Sequence, residues 1–95
     1  MENNHNQLGC LIQTLRKIDS SFEKNGISTH ALALKNNDSE IVVTGNFEGL
    51  INLGLKILEV ASSCSDGEHV HFDEHSLFDE CDKGLIISYK SAEWD

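Results

Sequence analysis

The sequence predicts an α+β fold, with two helices packed on one face of a small four-stranded sheet, in the order α-β-β-α-β-β and in two layers. Three observations lead there. Apolar residues recur at steps of three and four in two stretches, one near the start and one in the middle of the chain. Two short strand-like runs follow each stretch. Turn residues (Asn, Asp, Gly, Ser) separate the runs. At 95 residues the chain has room for one domain, spanning 1–95.

From Leu8 to Phe22, the residues Leu8, Leu11, Ile12, Leu15, Ile18 and Phe22 form one stripe of an amphipathic helix. Gln13, Arg16, Lys17 and Ser20 are left for water. Asn25-Gly26 follows and can close the helix in a left-handed conformation. Ile27 to Leu34 reads as a strand, with Thr29, Ala31 and Ala33 on one face and His30, Leu32 and Leu34 on the other. Asn36-Asn37-Asp38-Ser39 is turn chemistry, because Asn and Asp tolerate positive φ and hydrogen-bond their own backbone. Glu40 to Gly45, with Ile41, Val42 and Val43 at its centre, completes an antiparallel hairpin.

Asn46 suits the N-cap of a second helix, and Glu48 sets a carboxylate near its positive dipole end. From Leu50 to Ala61 the chain is apolar around most of a helical girth. Asn52, Lys56, Glu59 and Ser63 leave one narrow polar stripe, read as facing solvent, so this helix is expected to be central and heavily buried. Gly49 and Gly54 each cost roughly 1 kcal/mol against Ala inside a helix, which points to close approach by a neighbouring strand or helix. Ser65-Asp66-Gly67 ends the helix. Glu68 to Asp73 then alternates, Val70 and Phe72 inward against His69, His71 and Asp73 outward. Glu74 to Lys83 reads as an acidic loop, and Gly84 to Lys90 as a last strand with Leu85, Ile87 and Tyr89 on one face.

Composition narrows the function. Sixteen Asp and Glu stand against seven Lys and Arg, a net charge of −9. Direct nucleic-acid binding depends on Lys and Arg displacing condensed counterions, so it is disfavoured, and an anionic membrane surface is disfavoured with it. Met1 to Gln7 lacks the basic and apolar regions of a secretory signal. Cys10, Cys64 and Cys81 are odd in number and without CxxC spacing, which argues against a disulfide framework. The expected setting is a reduced cytoplasm and the expected state a monomer. No nucleophile elbow, phosphate loop or HExxH run is present, so the chain is not expected to be an enzyme or to need a cofactor.

The charge is uneven. Residues 1–48 sum to −2 and residues 49–95 to −7. Seven acids (Asp66, Glu68, Asp73, Glu74, Asp79, Glu80 and Asp82) fall between Asp66 and Lys83. This segment is either a solvated loop or a patch that steers a basic partner, since complementary charge raises association rates and rejects wrong partners. His69, His71 and His75 lie within it, and Trp94 near the C-terminus offers an aromatic anchor. The candidate partner-binding residues are therefore these seven acids, the three histidines and Trp94. The alternative is a small metal-binding or regulatory domain, with His69, His71 and Asp73 on one strand face as ligands. The spacing alone is weak support, because no second ligand cluster with a recognised separation accompanies it.

Val42-Val43-Thr44-Gly45-Asn46-Phe47-Glu48-Gly49-Leu50 leads into a helix continued by Leu53, Leu58 and Ala61. Gly67-Glu68-His69-Val70-His71-Phe72-Asp73 follows, and then Leu85-Ile86-Ile87. This half of the chain resembles the immunity protein 32 family of bacterial polymorphic-toxin and contact-dependent growth inhibition systems. The resemblance implies a small cytoplasmic antidote without catalysis that binds a cognate toxin domain, one to one. Its acidity suits a cationic nuclease toxin, and a basic ribonuclease is expected over a deoxyribonuclease.

Overall fold

In a computed structural model, the structure describes residues 2–24, 27–37, 39–72, 80–81 and 84–92. Helix α1 runs over Glu2–Ser20 and α2 over Phe47–Ser63. The strands are β1 (Glu23–Lys24), β2 (Ile27–Ser28), β3 (Leu32–Asn37), β4 (Glu40–Gly45), β5 (His69–Phe72), β6 (Glu80–Cys81) and β7 (Leu85–Ser88). The α+β class and the α-β-β-α-β-β order of the main elements hold. The expected single four-stranded sheet is instead divided. The β3–β4 hairpin and the β5–β7 pair are separate antiparallel ladders, with β6 added parallel to β3 inside the expected acidic loop and β1–β2 as a two-residue pair.

α1 ends at Ser20, ahead of the expected Phe22. The hydroxyls of Ser20 and Ser21 donate to the carbonyls of Arg16 and Ile18, and the Ser21 amide reaches back to Ile18 in a tightened last turn. Asn25-Gly26, the expected helix stop, lies outside the described residues. The strand expected over Ile27 to Leu34 is broken into β2 and β3. β3 extends into the expected turn as far as Asn37, pairing Leu32 with Gly45 and Asn37 with Glu40. Its faces are as the alternation requires, because Leu32 and Leu34 are buried.

The break between β2 and β3 has a chemical cause in Asn46. Its Oδ1 accepts from the Gly49 amide (2.7 Å) as the N-cap of α2, and also from the Ala31 amide (3.0 Å). Its Nδ2 donates to the Thr29 carbonyl (2.9 Å), and its own amide donates to the Ala31 carbonyl (3.0 Å). One side chain thus fastens the start of α2 to residues 29–31. Gly45 and Gly49 make room for that join. A Cβ on Gly49 would overlap the Ala31 carbonyl, and one on Gly45 would lie 2.9 Å from the same oxygen. No close neighbour meets Gly54.

The core lies where the two ladders meet beneath α2. Leu32 and Leu34 of β3 pack with Phe72 of β5, and Val43, Leu53, Val70, Leu85 and Ile87 close around them. Burial of such side chains, each worth about 1.5–3 kcal/mol, is the main driving force for this arrangement. α1 joins chiefly through α2, antiparallel to it, with Ile12 buried at the join and Leu11 and Ile18 exposed. The polar stripe of α2 does not face solvent. Asn52 is buried and donates to Asp19 of α1, while Glu59 accepts from Arg16 of α1 at 2.9 Å. The stripe is the α1 contact. An apolar face of α2 is turned outward in its place, with Phe47, Leu50 and Ile57 exposed.

Candidate docking site

α2 stops at Ser63 because Cys64 takes the left-handed conformation (φ 51°) and the chain turns toward the β5–β7 ladder. Gly67, at φ 88°, completes the turn where a side chain would be strained. Two backbone bonds then tie the approach to β5 to the end of β7. The Gly67 amide donates to the Tyr89 carbonyl, and the Tyr89 amide donates to that of Glu68.

Within this segment the proposed docking residues divide by their chemistry. Asp66 is engaged internally, since its Oδ1 accepts from the Ser91 amide (2.9 Å) and its Oδ2 from the Ser91 hydroxyl (3.1 Å). It holds the chain after β7 in place. Glu68 is exposed at the mouth of a cleft of about 260 Å³, whose walls also include Lys56, Glu59, Val60, His69 and Val70. That volume is below the usual range for small-molecule pockets, about 300–1,000 Å³. Glu59 is already clamped between Arg16 and Lys56.

His69 and His71 share the exposed face of β5, as the alternation requires. Their rings stand edge to face with centroids 4.9 Å apart. His69 donates from Nδ1 to the Gly67 carbonyl (2.8 Å), because a carbonyl can only accept. That contact fixes the ring orientation and places a proton on Nδ1. Across the ladder His69 pairs with Ser88 and His71 with Ile86, and Ile86 is exposed. The face therefore combines two imidazoles, a hydroxyl and one large apolar side chain. Ile86 was legible in the sequence from its place between inward Leu85 and Ile87, yet the charge pattern draws the eye away from it.

Tyr89 closes the inner side. Burial pushes its phenol above the usual tyrosine value, and the neighbouring Cys64 thiol and Asp66 carboxylate add to the shift. The phenol therefore remains a neutral hydrogen-bonding group through the physiological range. His5 of α1 reaches the same place, with its Nδ1 3.6 Å from Cys64 Sγ.

Asp73, Glu74, His75, Asp79, Asp82 and Trp94 lie outside the described residues, and Glu80 is placed by its backbone in β6. The structure brings together Asp66, Glu68, His69 and His71. Among the described residues no three of His, Cys, Asp and Glu converge as metal ligands. Among the described residues, too, no helix is long and apolar enough to cross a membrane.

A polar network absent from the sequence reading joins the other end of the helix pair. Asp19 takes Asn52 Nδ2 on one oxygen (2.7 Å) and contacts His30 Nε2 with the other (2.8 Å), and Phe22 stands edge-on to His30. Asp19 and Asn52 are 33 positions apart along the chain, and neither residue type announces the pairing.

No curated protein and no solved structure matches the chain. Residues 40–90, more than half of the chain, match the family model described as immunity protein 32. That span runs from β4 through the Asn46 cap and α2 to the end of the β5–β7 ladder, and the chain belongs to the immunity protein 32 family.

Proposed function

We propose that this chain is a cytoplasmic antitoxin that binds a cognate toxin domain, one per chain, and neutralises it by covering its active site. The toxin is a basic ribonuclease of a polymorphic-toxin or contact-dependent growth inhibition system. The observation that carries the proposal is membership of an immunity family by a chain whose net charge is −9. A ribonuclease holds phosphates with cationic side chains, and an acidic protein face competes for those same groups. The attraction also steers encounter and raises the association rate, most strongly at low salt.

The docking surface in this proposal is the β5 face and the acidic segment next to it. Glu68, His69 and His71 supply exposed polar groups, and Ile86 an apolar contact beside them. Asp73, Glu74, His75, Asp79, Glu80, Asp82 and Trp94 complete the proposed surface. Asp66 positions the segment through Ser91. The chain contributes no catalytic step and no cofactor. It acts by occupying space and charge that the substrate needs.

The test is binding and inhibition with the toxin domain encoded beside this chain's gene. Converting Asp79, Glu80 and Asp82 to Lys together should weaken the complex by about 100-fold or more, since removing charge complementarity at a tight interface costs several kcal/mol. RNA should be protected from the toxin by the native chain and cleaved in the presence of the variant. Unchanged affinity would remove the acidic segment from the interface. Protection of DNA alone would replace the ribonuclease with a deoxyribonuclease.

A further inference from the structure

β4 stands at the end of the order β4-β3-β6, and among the described residues β3 is its one neighbour. The Asn46 amide donates to the Ala31 carbonyl, and the register steps back from that pair without a break through all six residues of β4. An antiparallel ladder bonds every second pair, so Thr44, Val42 and Glu40 turn their amides and carbonyls toward β3. Ile41 and Val43 fall between them. Their amides and carbonyls therefore point the other way, along the free edge of the sheet.

Such an edge is a template for another chain, and proteins blunt it with a proline, a bulge, a lysine or a very short strand. β4 has none of these. The chain contains no proline, the ladder has no bulge, and the strand runs for six residues. Its one charge, Glu40, stands at the first position. Lys35, opposite Val42, lies on β3 and so one strand in from the edge. Val43 packs against the core, while Ile41 (57% exposed) and Val42 (41%) present β-branched surface on the two faces. An added strand would cover both with cross-strand pairs.

The chemistry of the edge names its occupant. The open groups of Ile41 and Val43 lie about 6.8 Å apart, two residues of rise, and the backbone of a second extended strand matches that spacing. A helix keeps its amides and carbonyls in its own bonds and cannot. Charge then decides between two sources of an extended strand. Glu40 opens β4, Glu48 follows in the first turn of α2, and no Lys or Arg occurs from 36 to 55. A second copy brings the same acids and a net charge of −9, whereas a basic toxin brings the complementary sign. Strand spacing also sets the free edge about 10 Å from β6 and Glu80, a distance that one toxin domain spans.

We infer that β4 receives an extended strand of the toxin domain as a further strand of its sheet, bonded to the amides and carbonyls of Ile41 and Val43, with a Lys or Arg beside Glu40. The inference rests on the toxin-binding reading and adds a backbone contact to the acidic surface proposed there.

Amide hydrogen exchange followed by NMR tests it, on the full chain alone and in complex with the toxin domain encoded beside its gene. The Ile41 and Val43 amides should exchange freely in the chain alone and at least about 100-fold more slowly in the complex. Val42 and Thr44, bonded to β3, should already be protected in the chain alone. Ile41→Pro removes one outward amide and no ladder bond, a change that edge strands tolerate. It should weaken the toxin complex about tenfold or more, and Ile41→Ala, which keeps the amide, should weaken it less. If Ile41→Pro does not fold by circular dichroism, exchange in the native chain decides alone. A toxin complex in which Ile41 and Val43 exchange as they do in the free chain overturns the inference and leaves the toxin-binding reading standing. Absence of any toxin complex overturns both. Protection of the two amides that grows with the concentration of the chain alone assigns the edge to a second copy and overturns the toxin strand.

Discussion

Asn52 of α2 donates from Nδ2 to Asp19 Oδ2 of α1 at 2.7 Å, in a site where Asn52 is 8% exposed. Its other polar atom, Oδ1, has no partner among the described residues. The contact gives the helix pair a polar lock in place of an apolar seam. Removing it by Asn52→Ala should destabilise the fold by about 1–3 kcal/mol, the usual cost of leaving a buried hydrogen-bonding group short of a partner. Asn52→Asp should cost more than Asn52→Ala at pH 7, since it sets a second carboxylate against Asp19. Urea denaturation of the two variants checks the order, and equal losses would contradict it.

Gly49 and Gly54 lie in the same helix and should respond oppositely to alanine. Gly49→Ala forces a Cβ into the backbone carbonyl of Ala31, which Asn46 holds in place, and should cost about 1–3 kcal/mol. Gly54→Ala places its methyl in open space and should stabilise the fold by about 0.5–1 kcal/mol through helix propensity. Thermal melts separate the two.

Asn46 makes four hydrogen bonds to Thr29, Ala31 and Gly49, so its variants should be graded. Asn46→Ala loses the N-cap and both side-chain links to residues 29–31, and should cost at least about 2 kcal/mol. Asn46→Asp keeps an oxygen for the Gly49 and Ala31 amides but loses the donor to Thr29. It should fall between Ala and the native residue in chemical denaturation.

The Arg16–Glu59 pair should contribute little. The Arg16 side chain is 51% exposed, and exposed pairs are worth about 0.2–1 kcal/mol in low salt. Arg16→Ala should therefore produce a small loss of stability that vanishes in about 1 M NaCl, where screening lengths shrink to a few ångströms. A large, salt-independent loss would mean that the Arg16 stem carries packing between the helices.

Local chemistry made part of this architecture readable from the sequence. The Asn46 cap, the His69/His71 alternation and the inward Leu85 and Ile87 are all set by residues within a few positions of one another. The errors came from contacts made by distant residues. Nothing near Asn52 reveals that Asp19 waits across a helix pair, so its stripe read as solvent-facing. The heavy apolar girth of α2 read as heavy burial, although Phe47, Leu50 and Ile57 stay exposed. The break before Leu32 depends on Asn46, which lies well downstream. In the candidate site, charge counting located the segment but could not separate Asp66, spent on Ser91, from Glu68, which is exposed. It also passed over Ile86, because a count of ions gives no weight to apolar side chains.

Neutralisation of a toxin by direct binding is the central claim. The most direct measurement is growth of bacteria expressing the toxin domain encoded beside this chain's gene, with and without the chain, alongside the affinity of the purified pair. Growth should be restored, with a one-to-one ratio of the two chains in a complex of nanomolar or tighter affinity. Growth arrest that persists in the presence of the chain, with no complex at micromolar concentrations, would contradict it.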